Sequence, residues 1–182
     1  MLARLFSYVL LLTGLMGLVN CSSKGEEPAP APAPPVITTV YLLRHAERDD
    51  ASHPTDPTLS AAGQARAEEL SKLLAPTAPA ALFTTDFRRT RGTLAPLAAT
   101  ANLVPQVYDA GQPTVLAALV RAQYAGKMVV IVGHSNTVLP QIEAFGAPRP
   151  LAEIRDTEYN HLFKLTITSG ATPTVVASKY GQ

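Results

Sequence analysis

The chain contains one cysteine, Cys21, and no tryptophan. A lone thiol excludes an intramolecular disulfide and a cysteine-built zinc cluster. Charge is also scarce: 16% of residues are charged, and 15 Lys and Arg against 14 Asp and Glu leave a formal net charge of +1. Without a basic excess, the broad phosphate-neutralising surface of a nucleic-acid binder is excluded. There is no Walker-type glycine loop and no carboxylate cluster to hold a metal-bound nucleotide. Neither His53 nor His161 has a partner at metal-ligand spacing. The sequence therefore calls for no cofactor and no metal. Hydrophobic residues, by contrast, make up 47% of the 182, enough for one packed core with an appendage.

The appendage is at the start. Arg4 precedes an apolar run from Leu5 to Val19, the pattern of a secretory signal peptide. The uncharged stretch continues to Ser23, so a single membrane anchor is the rival reading. Leu18-Val19-Asn20-Cys21 resembles the lipobox of bacterial lipoproteins, with Asn20 where a small residue is usual. That resemblance implies cleavage before Cys21, lipidation of Cys21, and an exported protein held on a membrane and facing the periplasm or cell surface. Pro and Ala alternate from Pro28 to Pro35, which favours extended polyproline II and a reach of about 25 Å at ~3.1 Å per residue. The segment reads as a stalk or as a plain linker. The expected organisation is a signal peptide over 1–20, a lipidated Cys21 and linker over 21–35, and one domain over 36–182.

Within that domain, apolar β-branched runs predict strands at Val36 to Leu43 and Lys127 to Val132, with shorter ones at Ala81 to Thr84 and Pro105 to Tyr108. Period-3.6 stripes predict helices at Ser60 to Ala75, Asp86 to Ala101, Thr114 to Tyr124 and Asn136 to Phe145. Asp86 is the expected N-cap of the second helix, and Pro96 is expected to bend or end it. Two final strands are expected at Leu162 to Thr168 and Thr174 to Ser178. Alternating strands and helices predict a three-layer αβα sandwich around a mostly parallel sheet. Ligands in such sheets bind beyond the carboxyl ends of the strands.

Three of those ends carry reactive residues. The first strand runs into Arg44-His45-Ala46-Glu47-Arg48, the second into Thr84-Thr85-Asp86 with Arg88, Arg89 and Arg91 following, and the fourth into Gly133-His134-Ser135-Asn136-Thr137. Arginine presents a planar fork of donors to phosphate oxygens, and a histidine with one ring nitrogen tied down can accept a phosphoryl group on the other.

In these segments the chain resembles the histidine phosphatase, or phosphoglycerate-mutase-like, superfamily. Arg44-His45-Ala46 matches the family's Arg-His-Gly, with Ala for Gly. Leu59-Ser60-Ala61-Ala62-Gly63 matches its Leu-Thr-x-x-Gly segment. Thr84-Thr85 with Arg89 and Thr93 matches Ser-Ser-x-x-x-Arg-x-x-x-Thr, and Gly133-His134 matches the second histidine motif. The resemblance implies a phosphoglycerate-mutase-like fold. It implies His45 as the nucleophile that becomes phosphohistidine, and Arg44, Arg89 and His134 as the phosphate pocket, without metal. Thr85 and Asn136 are either further donors to the phosphate or helix caps.

The resemblance implies a general acid between Arg89 and His134, where the one carboxylate is Asp109, or none at all, as in the family's short phosphohistidine phosphatases. Glu47 is the other candidate, or else it orients an arginine. The interval from His45 to His134 is too short for the substrate-covering segment of the larger mutases. The resemblance therefore implies a phosphatase acting on a phosphomonoester or phosphohistidine, carried by a small molecule or a phosphoprotein. The alternatives are a non-catalytic phosphate-binding lipoprotein on the same fold, or a mutase.

Overall fold

The computed structural model describes residues 33–181. The signal-peptide segment 1–20, Cys21 and the first part of the linker lie outside the described residues. Among the described residues no helix is long and apolar enough to cross a membrane.

The first strand, β1 (Ile37–Arg44), leads to α1 (Ala61–Leu74), whose N-cap Ser60 accepts a hydrogen bond from the Gly63 amide. Then follow β2 (Ala81–Thr84), α2 (Arg88–Ala101), β3 (Gln106–Val107), α3 (Pro113–Gln123), β4 (Met128–Gly133) and α4 (Val138–Ala144). The chain ends in β5 (His161–Thr168) and β6 (Thr174–Lys179). One six-stranded sheet results, in the order β3-β2-β4-β1-β5-β6. Pairing is parallel from β3 to β1 and antiparallel for β1 with β5 and β5 with β6, so the sheet is mixed.

Alternation along β4 explains its unbroken apolar sequence. Val129 and Ile131 face one layer with Leu116 and Val120 of α3 and Leu139 and Ile142 of α4. Val130 and Val132 face the other with Leu70 and Leu74 of α1 and Leu94 and Leu97 of α2. A strand covered on both faces has no polar side to alternate with. This sandwich is the architecture that the strand–helix alternation predicts.

Two local expectations change. Asp86 does not cap α2; the helix starts two residues later behind Phe87, which makes no side-chain cap, and Asp86 instead pairs with Arg91. Pro96 does not end α2, which runs on to Ala101. Burial of Leu94 and Leu97 against the sheet offsets the lost hydrogen bond.

Connection order creates the functional edge. β4 inserts between β1 and β2, and the helices after β1 and β4 leave toward opposite faces of the sheet. The two neighbouring strand ends therefore diverge and open a crevice, the switch-point arrangement of open α/β sheets.

Gly63 sets the approach of α1 to this edge. A Cβ there would lie 2.1 Å from the backbone oxygen of Glu47. Helix propensity alone makes Gly→Ala a gain of about 1 kcal/mol, but this overlap requires backbone movement. Gly63→Ala is expected to lower the urea midpoint; an unchanged or raised midpoint would show that the approach is not constraining.

Candidate active site

β1 and β4 are in register with Arg44 opposite Gly133, and the His45 amide donates to the Gly133 carbonyl at 2.9 Å. That bond carries the parallel pairing one residue past β1 and places the nucleophile candidate beside the β4 exit. The His45 and His134 rings stand 5.4 Å apart, edge to face.

His45 is buried, and its Nδ1 bonds the Ala46 carbonyl at 2.8 Å. The carbonyl can only accept, so Nδ1 carries the proton and Nε2 keeps its lone pair. Burial, with the positive charge of Arg44 and Arg89 nearby, outweighs the Ala46 bond and holds the His45 pKa down at about 3. The ring is a neutral imidazole with a defined tautomer at neutral pH, the form a nucleophile needs.

Ala46 acts through its backbone. Its amide donates to Thr93 Oγ1 at 2.9 Å, and Thr93 Oγ1 donates to the Arg89 carbonyl at 2.8 Å. Helix α2 thus holds the loop after His45 with one residue and sends Arg89 toward the same cavity with another.

That cavity, about 320 Å³, is lined by Arg44, His45, Arg48, Phe87, Arg89 and His134, with Ser135, Asn136, Thr137 and Asp156 completing the wall. Arg44 is fixed by the segment that leads into the neighbouring β5: its Nη1 donates to the carbonyls of Arg155 at 2.7 Å and Glu158 at 3.3 Å, and its guanidinium lies 4.2 Å from the Tyr159 ring centre. Arg89 lies 4.3 Å from the Phe87 ring centre and 3.7 Å from Asp56. The Nε atoms of Arg44 and Arg89 are buried and have no acceptor among the described residues. Burial pulls both guanidiniums below their ordinary pKa, yet both remain charged.

His134 bonds Thr85 Oγ1 through Nε2 at 3.0 Å, and Thr85 in turn bonds Thr90 Oγ1 at 3.0 Å. Burial, then Arg89 and Arg44, holds the His134 pKa down at about 4, so this imidazole is neutral in the empty cavity. Thr85 therefore serves His134, while Asn136 is exposed on the cavity wall.

The expected acids are placed elsewhere. Asp109 is exposed and does not line the His45 cavity. Its carboxylate accepts from Gln112 Nε2 and from the Gly111 amide, both at 2.8 Å, which closes the turn before α3 and lowers its pKa. It borders instead a separate, largely apolar cavity with Phe83, Val115 and Leu116. Glu47 does orient an arginine, but that arginine is Arg66, bonded at 2.7 to 3.0 Å. Burial alone would raise the Glu47 pKa; the Arg66 bonds dominate and lower it. His53 accepts amide bonds from Thr55 and Asp56, and His161 stacks on Phe163. Among the described residues no group of three or more His, Cys, Asp or Glu is arranged to hold a metal ion.

Residues that sequence reasoning missed are Phe87, Tyr159 and Asp156. For Tyr159 and Asp156 the available signal was the start of β5: that strand is antiparallel to β1, so its entry lies at the edge where β1 ends.

The two low imidazole pKa values set a pH dependence. An unfolded histidine titrates near 6.5, so as pH falls below that value the unfolded chain binds protons that folded His45 and His134 refuse. Stability is therefore full above about pH 6.5 and lost as pH drops toward the folded values. The urea midpoint is expected to fall between about pH 7.5 and pH 5, and to fall less in a His45→Gln, His134→Gln double variant. An equal fall in both proteins would assign the effect to other groups.

The family model of the histidine phosphatase superfamily (branch 1) matches residues 40–111. No match is found among curated proteins. Among solved structures, a candidate phosphohistidine phosphatase, SixA of Agrobacterium tumefaciens, is 25% identical, with a TM-score of 0.56 over 70% of this chain and 91% of its own. The protein histidine phosphatase SixA bound to tungstate is 18% identical, with a TM-score of 0.61 over 78% of this chain and 96% of its own. The mycobacterial glucosyl-3-phosphoglycerate phosphatase is 15% identical, with a TM-score of 0.63 over 79% and 98%. Residues 40–111 thus carry the histidine phosphatase superfamily pattern, and the described domain has the fold of these phosphatases.

Proposed function

We propose that the protein is a metal-independent phosphatase that passes a phosphoryl group from a monoester or a phosphohistidine to His45 Nε2 and then to water. The observation that carries this reading is the state of His45: neutral, buried, fixed through Nδ1, and flanked by two arginines in one cavity. A phosphoryl group in transfer spreads negative charge over three oxygens, and catalysis is mainly positioning and electrostatic stabilisation. Arg44 and Arg89 supply the fixed positive charge. A bound phosphate dianion draws a proton onto His134, whose low pKa in the empty cavity comes from burial and the same two arginines. The names of the SixA relatives favour a phosphohistidine substrate; that of the mycobacterial relative favours a phosphosugar.

His45→Ala is expected to abolish turnover of an aryl phosphate and the acid-labile label that substrate leaves on the protein. Chelator is expected to leave wild-type activity intact. Near-normal turnover in the variant would overturn the mechanism, and loss of activity in chelator would overturn its metal independence.

The N-terminal pattern supports a second, separate proposal: the domain works outside the cytoplasm on a lipid anchor at Cys21, on a sugar phosphate or a phosphate of the cell envelope. Cys21→Ser is expected to release the protein from membranes or leave an uncleaved precursor. Mature protein that retains Met1 and carries no lipid would overturn it.

A further inference from the structure

We propose that Asp156 is the general acid and base of this site, in the position that Asp109 does not fill; the proposal rests on the phosphohistidine reading above. Residues Arg155 to Glu158 form a tight turn closed by the Glu158 amide on the Arg155 carbonyl at 3.0 Å. The Glu158 carboxylate bonds the Arg155 amide at 2.9 Å and braces it. The two end carbonyls of this turn are the ones that hold Arg44 Nη1. Asp156 is thus presented by a turn pinned to the phosphate-binding arginine itself. Its Oδ1 lies 3.6 Å from Arg44 Nη2 and 3.4 Å from Ser135 Oγ.

Direction of attack selects this residue. In-line displacement puts the leaving oxygen on the side of phosphorus away from the nucleophile. His45 is 3% exposed, at the floor of the cavity, so the leaving oxygen points to the mouth. Asp156, with a solvent-exposed side chain, is the single carboxylate among the residues lining that cavity. Glu47 is bound to Arg66 and Asp109 borders another cavity.

In the first step His45 Nε2 forms a bond to phosphorus, the P–O bond to the leaving group breaks, and the Asp156 carboxylic acid gives its proton to the departing oxygen. In the second, water attacks phosphorus, Asp156 carboxylate takes the water proton, and the P–N bond breaks to restore neutral His45 and release phosphate.

The test compares kcat/KM for p-nitrophenyl phosphate, whose leaving group needs little help from a proton, with that for glycerol 3-phosphate, whose alkoxide does. Wild type, Asp156→Asn and Asp109→Asn are each measured, and acid-labile phosphate on His45 is trapped in parallel. Asp156→Asn is expected to lower the alkyl value by ~10²–10⁴-fold and the aryl value far less, with phosphoenzyme still formed; Asp109→Asn is expected to leave the ratio as in wild type. An unchanged ratio in Asp156→Asn with label on His45 would overturn the role of Asp156 alone. An equal fall for both substrates would make Asp156 a positioning residue for Arg44 and overturn it too. Absence of label from wild type would overturn the phosphohistidine reading beneath it.

Discussion

A single hydrogen bond past the end of a parallel strand pair organises this site. The His45 amide on the Gly133 carbonyl continues the β1–β4 ladder by one residue, just where the two chains begin to part toward opposite faces. Because the register opposes Arg44 to Gly133, the next residues on each strand, His45 and His134, emerge as neighbours. Gly133 is part of that arrangement: a Cβ on it would stand 2.9 Å from both Thr137 Oγ1 and the Tyr108 hydroxyl. A side chain there would force apart the loop that delivers His134.

The electrostatics follow from the same crowding. Three guanidiniums and two imidazoles line one cavity; Arg48 is paired with Asp50, while the carboxylates beside Arg44 and Arg89 stand off at 3.6 and 3.7 Å. Like charges and burial drive both imidazoles neutral, while the arginines cannot discharge. Arg44 and Arg89 instead rest against aromatic rings, Tyr159 and Phe87, each of which accepts a weakly hydrated planar cation without neutralising it. The cavity is left with a net positive charge whose natural complement is an oxyanion.

Much of this was legible in the chain because strand exits carry compact motifs. Arg44-His45, Arg89 and Gly133-His134 each follow an apolar run or begin the next helix, and sheet topology brings them to one edge. Asp109 illustrates the limit of that logic. Its sequence interval fits an acid, but Gly111 and Gln112 two and three residues on capture its carboxylate in a local turn, the ordinary behaviour of aspartate before a helix. The 155–159 segment escaped notice for the opposite reason. A rule about carboxyl ends of parallel strands does not look at the amino end of an antiparallel one, yet antiparallel β5 begins where β1 stops. The late start of α2 was equally hidden, since Thr85 stands before the helix and bonds His134 on one side and Thr90, in the first turn of α2, on the other.

The turn that grips Arg44 does so with main-chain oxygens of Arg155 and Glu158. Every amino acid brings the same carbonyl, so side-chain replacement at these two positions leaves the grip in place. Length is another matter. One residue added or removed between Ile154 and His161 shifts both carbonyls out of phase with the guanidinium while β5 stays anchored by its pairing with β1. The segment is therefore permissive to substitution and intolerant of insertion or deletion, the reverse of what is usual for an exposed surface loop.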